Sequence, residues 1–307
     1  MEDFAPLLLT LAPMFALIGG GFIAGRWIGV RGEAIAPLLI YLITPCVVFG
    51  ALLRAPLSLS TLVLPGIICA LCFAVCLLTL RLTRAWLPAP GRNLIAFAAG
   101  NANSGYFAIP VGIALFGESS MPLIVLSGFG FLLFENTLGI FVLALGKFSA
   151  REAGIRVLKL PALYAFALGL SVNALGIGLS PRAADFHLML RHTYSVLGMM
   201  LLGLGLAAMK DFRLDSLFIG ATLVAKHFLW PCAALLLLWA EHTLLGVLTP
   251  EERKITLFMS VLPLAANTVA WATLLNAEPE KASCAVLLST LCAPFSLMFL
   301  PTLLTWI

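Results

Sequence analysis

Gly100-Asn101-Ala102-Asn103-Ser104-Gly105-Tyr106-Phe107-Ala108-Ile109-Pro110 interrupts an otherwise apolar stretch at 93–117 with amides, a hydroxyl and a proline. Ser260-Val261-Leu262-Pro263-Leu264-Ala265-Ala266-Asn267-Thr268 interrupts 255–276 in the same manner. Proline lacks an N–H and its ring displaces the carbonyl four residues earlier, while Asn and Ser offer alternative bonds to the freed backbone. Each stretch therefore reads as a helix that opens near its middle. An opened helix presents an N-terminal half-dipole to anions and free carbonyls to cations. Pro6, Pro13, Pro37, Pro45, Pro65, Pro231 and Pro294 stand without such company and read as kinks or helix starts.

Around these two stretches the chain has 307 residues, 62% hydrophobic and only 10% charged, with mean hydropathy +1.08. Soluble domains carry about 25% charged residues, so a water-soluble globular protein is excluded. Runs long enough to span a bilayer, about 20 residues each, fall at 4–25, 34–53, 61–80, 93–117, 121–146, 160–179, 192–209, 216–240, 255–276 and 282–306. The expectation is an all-α polytopic membrane protein of ten spans. The most polar connection, 148–159, reads as a cytoplasmic linker between 1–147 and 160–307, each with five spans. Because five is odd, the second half enters the membrane inverted, and the interrupted span is the fourth of each half. Carriers built from inverted repeats place their substrate where such spans open at the midplane.

Twelve of the eighteen Lys and Arg residues lie in the loops after spans 1, 3, 5, 7 and 9, five lie in the other loops, and Lys226 is inside span 8. By the positive-inside rule the odd loops are cytoplasmic and both termini face outward. Topology thus accounts for the net charge of +4, leaving a weak attraction to anionic membrane lipids and no nucleic-acid partner. The acidic start Met1-Glu2-Asp3 and the long first apolar run do not read as a cleavable signal. All seven cysteines fall within spans. Although Cys69, Cys72 and Cys76 share a helical face, no histidine or carboxylate joins them, so packing is expected, with no metal and no disulfide. His187, His192, His227 and His242 lack ligand spacing, and no catalytic residues are expected. The glycines at 19–21, 25, 198, 203 and 205 read as close helix packing.

Ionisable groups deep in a span are functional candidates. Glu135, Lys226 and His227 stand out. At about 1.5 Å per residue, Glu135 lies roughly 17 Å and Lys226 roughly 15 Å from the cytoplasmic ends of their helices, with Asn103 and Asn267 at roughly 14–15 Å. Four positions from spans 4, 5, 8 and 9 thus share one layer. Glu135 reads as a proton carrier, as an ionised partner of Lys226, or as a structural hydrogen-bonding group at a helix contact. For Lys226 the readings are a buried pair, an anion contact or a snorkelling side chain, and for His227 a hydrogen-bonded packing residue or a proton relay.

On Asn103-Ser104-Gly105-Tyr106 through Ile109-Pro110, Leu115-Phe116-Gly117 and Leu262-Pro263-Leu264-Ala265-Ala266-Asn267, the chain resembles the auxin efflux carrier family. This is the group of plant PIN exporters and bacterial permeases for malonate and malate. Leu42-Ile43-Thr44-Pro45, Gly203-Leu204-Gly205-Leu206 and Lys226 through Pro231 add softer support. The resemblance implies a ten-helix fold in which spans 1, 2, 6 and 7 form a scaffold, commonly homodimeric. Spans 3–5 and 8–10 then form a mobile transport unit moving as an elevator. It places Pro110 and Pro263 at a crossover, with Asn103 and Asn267 beside the substrate. The chain departs from the family pattern in Ser104 before Gly105, in Glu135, and in lacking the long cytoplasmic loop of the plant proteins.

The function expected is secondary transport of a small organic anion, a mono- or dicarboxylate, by alternating access in a bacterial cytoplasmic membrane. Asn101, Asn103, Ser104, Asn267 and Thr268 are the substrate-binding candidates. No cofactor is expected beyond a coupling proton or sodium ion. The alternatives are a sodium-coupled carrier of the bile-acid-transporter type, a membrane sensor that binds ligand without moving it, and a channel.

Overall fold

The computed structural model describes residues 4–55, 59–105, 107–209 and 215–306. Tyr106 of the first interrupted stretch lies outside them. The described residues are helical, with no strand among them. Helix α1 covers 4–28, Phe4–Ile23 continuing through a π-helical turn at Ala24–Ile28. It is followed by α2 (Gly32–Leu52), α3 (Leu59–Thr83), α4 (Gly91–Gly100), α5 (Ala108–Phe116) and α6 (Glu118–Ala144). The second half runs through α7 (Ala150–Leu158), α8 (Pro161–Ala174), α9 (Pro181–Ala207), α10 (Ser216–Leu244), α11 (Pro250–Ser260), α12 (Asn267–Leu274), α13 (Pro279–Met298) and α14 (Leu300–Leu304).

Five of these, α2, α3, α6, α10 and α13, carry stretches long and apolar enough to cross a membrane, and α7 with α8 meets the same test as a pair bent by 47°. The chain is a multi-pass membrane protein. Both interrupted stretches open: α4 ends at Gly100 and α5 begins at Ala108, while α11 ends at Ser260 and α12 begins at Asn267. Pro263 lies within its opening, whereas Pro110 is the third residue of α5. A proline in the first helical turn loses no intrahelical bond, so the break after Gly100 rests on Asn101 and Asn103 upstream of it.

The 148–159 connection is more ordered than a plain linker. Ser149 caps α7 in a capping box with Glu152, and the Ser149 N–H and hydroxyl hold the Glu152 carboxyl below the usual carboxylate range.

In the closest helix pairs α1 lies along α9, and α2 against α8 and α9; α3 packs on α4 and α6, and α13 on α10 and α12. α9 also packs on α13, and α2 on α12. The glycines seen in the sequence fall partly at these contacts. A side chain on Gly21 would strike the Met200 carbonyl, and one on Gly203 the Ile18 carbonyl, so α1 and α9 meet backbone to backbone; Gly19 and Gly20 face open space. Gly205 packs instead on Ser283 of α13. Two further π-helical turns, Glu135–Gly139 in α6 and Ala225–Leu229 in α10, hold the three deep ionisable residues.

Candidate functional site

The two openings touch. The Asn103 N–H donates to the Pro263 carbonyl at 2.9 Å, a backbone bond between the first and second halves of the chain. The Asn103 side-chain oxygen accepts from the Phe107 N–H at 3.2 Å, and its carbonyl from the Ala108 N–H at 3.1 Å. One residue thereby starts α5 and docks the opposite opening. Asn101, at the end of α4, folds its side-chain oxygen back onto the Ala102 N–H at 2.9 Å.

Glu135 lies between the openings, 5% exposed. Its Oε2 accepts from Asn101 Nδ2 at 2.8 Å, and its Oε1 from Trp271 Nε1 at 2.7 Å and Asn267 Nδ2 at 3.2 Å. A single carboxyl group thus gathers donors from both halves. Lys226 is fully buried, and its ammonium donates to the Asn101 carbonyl at 2.7 Å while sitting 5.1 Å from the Trp230 ring and 5.8 Å from the Phe131 ring. Among the described residues Glu135 and Lys226 form no ion pair. Instead both engage Asn101, one at its amide and the other at its carbonyl. The cation is spent on a backbone carbonyl that an intact helix would have satisfied internally.

His227 points the other way around α10, with Nδ1 2.8 Å from Ser296 Oγ and Nε2 2.9 Å from Ser289 Oγ. Both serines are on α13. Asn267 also bonds to the Tyr194 hydroxyl of α9. Thr268 is buried, with its hydroxyl unbonded among the described residues.

A cavity of about 840 Å³ rises from this layer, within the range of roughly 300–1,000 Å³ usual for ligand sites. Asn103, Ser104, Glu135 and Asn267 line its buried end, together with Pro110 and the Ala265–Ala266 backbone; Arg54, Glu118, Arg191 and His192 line the other. Asn101, Thr268, Pro263, Lys226 and His227 are not on its wall. The structure therefore brings Asn103, Ser104 and Asn267 to the cavity and sets Asn101 and Lys226 behind them. The walls between are apolar, with Val47, Ile109, Leu126 and Phe129 among them.

Sequence reasoning missed Trp271, Tyr194, Ser289 and the arginines at the mouth. Trp271 had a signal, standing four residues after Asn267 on the same helical face. Arg54 and Arg191 read as loop charges, and nothing in their spacing marks a shared vestibule.

No family model matches the chain. It is 33% identical over 184 residues to a protein of Methanothermobacter thermautotrophicus described as an uncharacterized transporter. The chain is similar to a transporter. The match covers 55% of this chain and 58% of that protein, so the chain spans little more than half the length of the relative it matches. That likeness, the apolar helices and the cavity agree on transport across a membrane.

Proposed function

We propose that the protein is a secondary transporter of a small organic anion, of the auxin efflux carrier type, with ten spans in two inverted five-helix repeats. The observation that carries this reading is the bond from Asn103 to Pro263 at the buried end of the cavity. Two opened helices, at matching places in the two halves, meet at the one layer where a solute entering the cavity must stop. The order of elements supports the repeat, because an opened pair of short helices followed by a long helix closes each half. The packing of α1, α2, α8 and α9 against one another supports a scaffold, on which the remaining helices move as the transport unit, and by which two copies associate.

The basic mouth supports an anion. Arg54 and Arg191 line that end with a single acid, Glu118, and fixed positive groups in a low-dielectric funnel raise the local concentration of anions. The substrate carboxylate is held by Asn103, Ser104 and Asn267, with Asn101 and Lys226 shaping the first opening from behind. By the distribution of Lys and Arg the mouth lies on the outer side of a cytoplasmic membrane, so the conformation is outward-facing.

Glu135 is the coupling group in this reading. Oε1 already accepts from two N–H groups, so a proton placed on it must displace Asn267 or Trp271, whereas Oε2 keeps a lone pair for Asn101. Protonation thus loosens the tie between the halves, and deprotonation restores it. The test is uptake into proteoliposomes from a panel of labelled carboxylates under imposed pH and sodium gradients. Saturable uptake of at least one acid is expected, with KM raised about tenfold by Asn267→Ala, the worth of one hydrogen bond of about 1.4 kcal/mol. Glu135→Gln is expected to abolish uptake driven by the pH gradient and to leave substrate exchange. Driven uptake that survives in this variant removes the coupling role.

A further inference from the structure

The second opening has a support that the transport reading above does not use. Its Pro263–Leu264 peptide unit is bonded on both edges. The Pro263 carbonyl accepts from Asn103 N–H at 2.9 Å, and the Leu264 N–H donates to Ser289 Oγ at 3.0 Å. Leu264 and Ser289 are both fully buried, so no solvent is at hand to replace either bond. Ser289 is in turn 2.9 Å from His227 Nε2, whose other nitrogen meets Ser296 Oγ at 2.8 Å. A hydroxyl either donates or accepts, so the ring keeps both contacts in either neutral tautomer. Ser289 and Ser296 are seven residues apart on α13, two turns along one face, and the imidazole spans them.

From this arrangement we infer that His227 and Ser289 are positioning residues: through the Leu264 N–H they fix the rotation of the Pro263–Leu264 peptide. They thereby aim the Ala265–Ala266–Asn267 segment that lines the cavity. The segment begins at the very next residue, so a peptide free to turn would carry those residues with it. Ala265 and Ala266 bring no polar side chain to hold themselves in place, and the neighbouring helix supplies one. The adjacent Lys226 serves the first opening from the same π-helical turn. A π-helical turn changes the facing of successive side chains relative to a regular helix, and here residues 226 and 227 reach the two openings from one place.

The claim about solute recognition rests on the transport reading, whereas the clamp itself does not, and the experiment separates them. Backbone hydrogen exchange is followed by mass spectrometry on the purified chain in nanodiscs, without any solute, for the parent and for Ser289→Ala, Ser289→Thr and His227→Phe. Ser289→Ala and His227→Phe are expected to speed exchange of a peptide covering 261–266 about tenfold, with the peptide covering 101–105 unchanged. Ser289→Thr, which keeps the hydroxyl, is expected to restore slow exchange. Parent-like exchange in Ser289→Ala overturns the clamp, and so does acceleration spread evenly over the chain in all three variants. Uptake of the responsive carboxylate is then measured. Ser289→Ala is expected to raise KM several-fold with kcat held, a split that a general loss of folded protein does not produce. A lowered kcat at unchanged KM overturns the aiming role. If the exchange result holds and no variant or parent carries any solute, the transport reading fails and the clamp stands.

Discussion

The openings at 101–107 and 261–266 do the same geometric work with different means. The first is capped in part by its own residues: Asn101 and Asn103 fold their side chains onto nearby N–H groups, while Lys226 meets the Asn101 carbonyl from outside, and Ser104 and Gly105 reach the cavity. The second is buried from Val261 to Ala266 and offers no polar side chain within the break. Its peptide groups are met by Asn103 and Ser289, which belong to other elements. An opening with some caps of its own keeps part of its shape when one neighbour is removed, whereas one capped only by neighbours loses that support outright. The two halves, built alike in order, are therefore unequal in what a single substitution does to them.

The contrast is tested most severely at Lys226. Lys226→Met removes the donor from the buried Asn101 carbonyl, an expected loss of about 3 kcal/mol in stability. Ser289→Ala orphans one N–H of the second opening and is expected to cost about 1–2 kcal/mol. Unfolding followed by tryptophan fluorescence in detergent compares them. Equal losses would mean that the charge contributes nothing beyond an ordinary hydrogen bond, and the first opening would not be the more strongly anchored.

A finer division concerns the two amides on Glu135. Asn101 Nδ2 is buried and 2.8 Å from its oxygen, and Asn267 Nδ2 is part-buried at 3.2 Å. Shorter, better-buried bonds to a carboxyl group are the stronger ones, so Asn101→Ala is expected to cost about 2 kcal/mol and Asn267→Ala about 1. The double variant is expected to fall short of the sum, because both act on one group. Strict additivity would show that Glu135 does not join the halves energetically.

Much of this layer is legible in the amino-acid sequence. The two openings announce themselves through Asn, Ser and Pro in apolar surroundings, and counting 1.5 Å per residue put Glu135, Lys226, Asn103 and Asn267 at one depth. The choice of partners was not legible. Lys226 and Glu135 at equal depth read as a pair, yet the ammonium goes to a backbone carbonyl, and a carbonyl has no signature in the sequence. The π-helical turns at 135–139 and 225–229 also defeat a regular helical wheel, since each extra residue turns the following side chains by about 100°. Nothing in the sequence marks Ser289 among the small residues of its apolar helix. Even the 150–158 helix had its signal in Ser149-Ala150-Arg151-Glu152, which reads as a capping box once a helix is sought there.

The smallest expected effect concerns Thr268, which the sequence suggested as a substrate contact. Its side chain is 1% exposed, its hydroxyl has no partner among the described residues, and it is absent from the cavity wall. A buried hydroxyl without a bond is a cost, not a support. Thr268→Val keeps the shape and removes the oxygen, so stability is expected to stay level or rise by up to about 1 kcal/mol, with KM for uptake unchanged. Ser104→Ala, at the opposite opening but on the wall, is expected to raise KM while leaving the unfolding midpoint in place. If the two variants exchange these signatures, Thr268 meets the solute and Ser104 does not, and the two assignments are reversed.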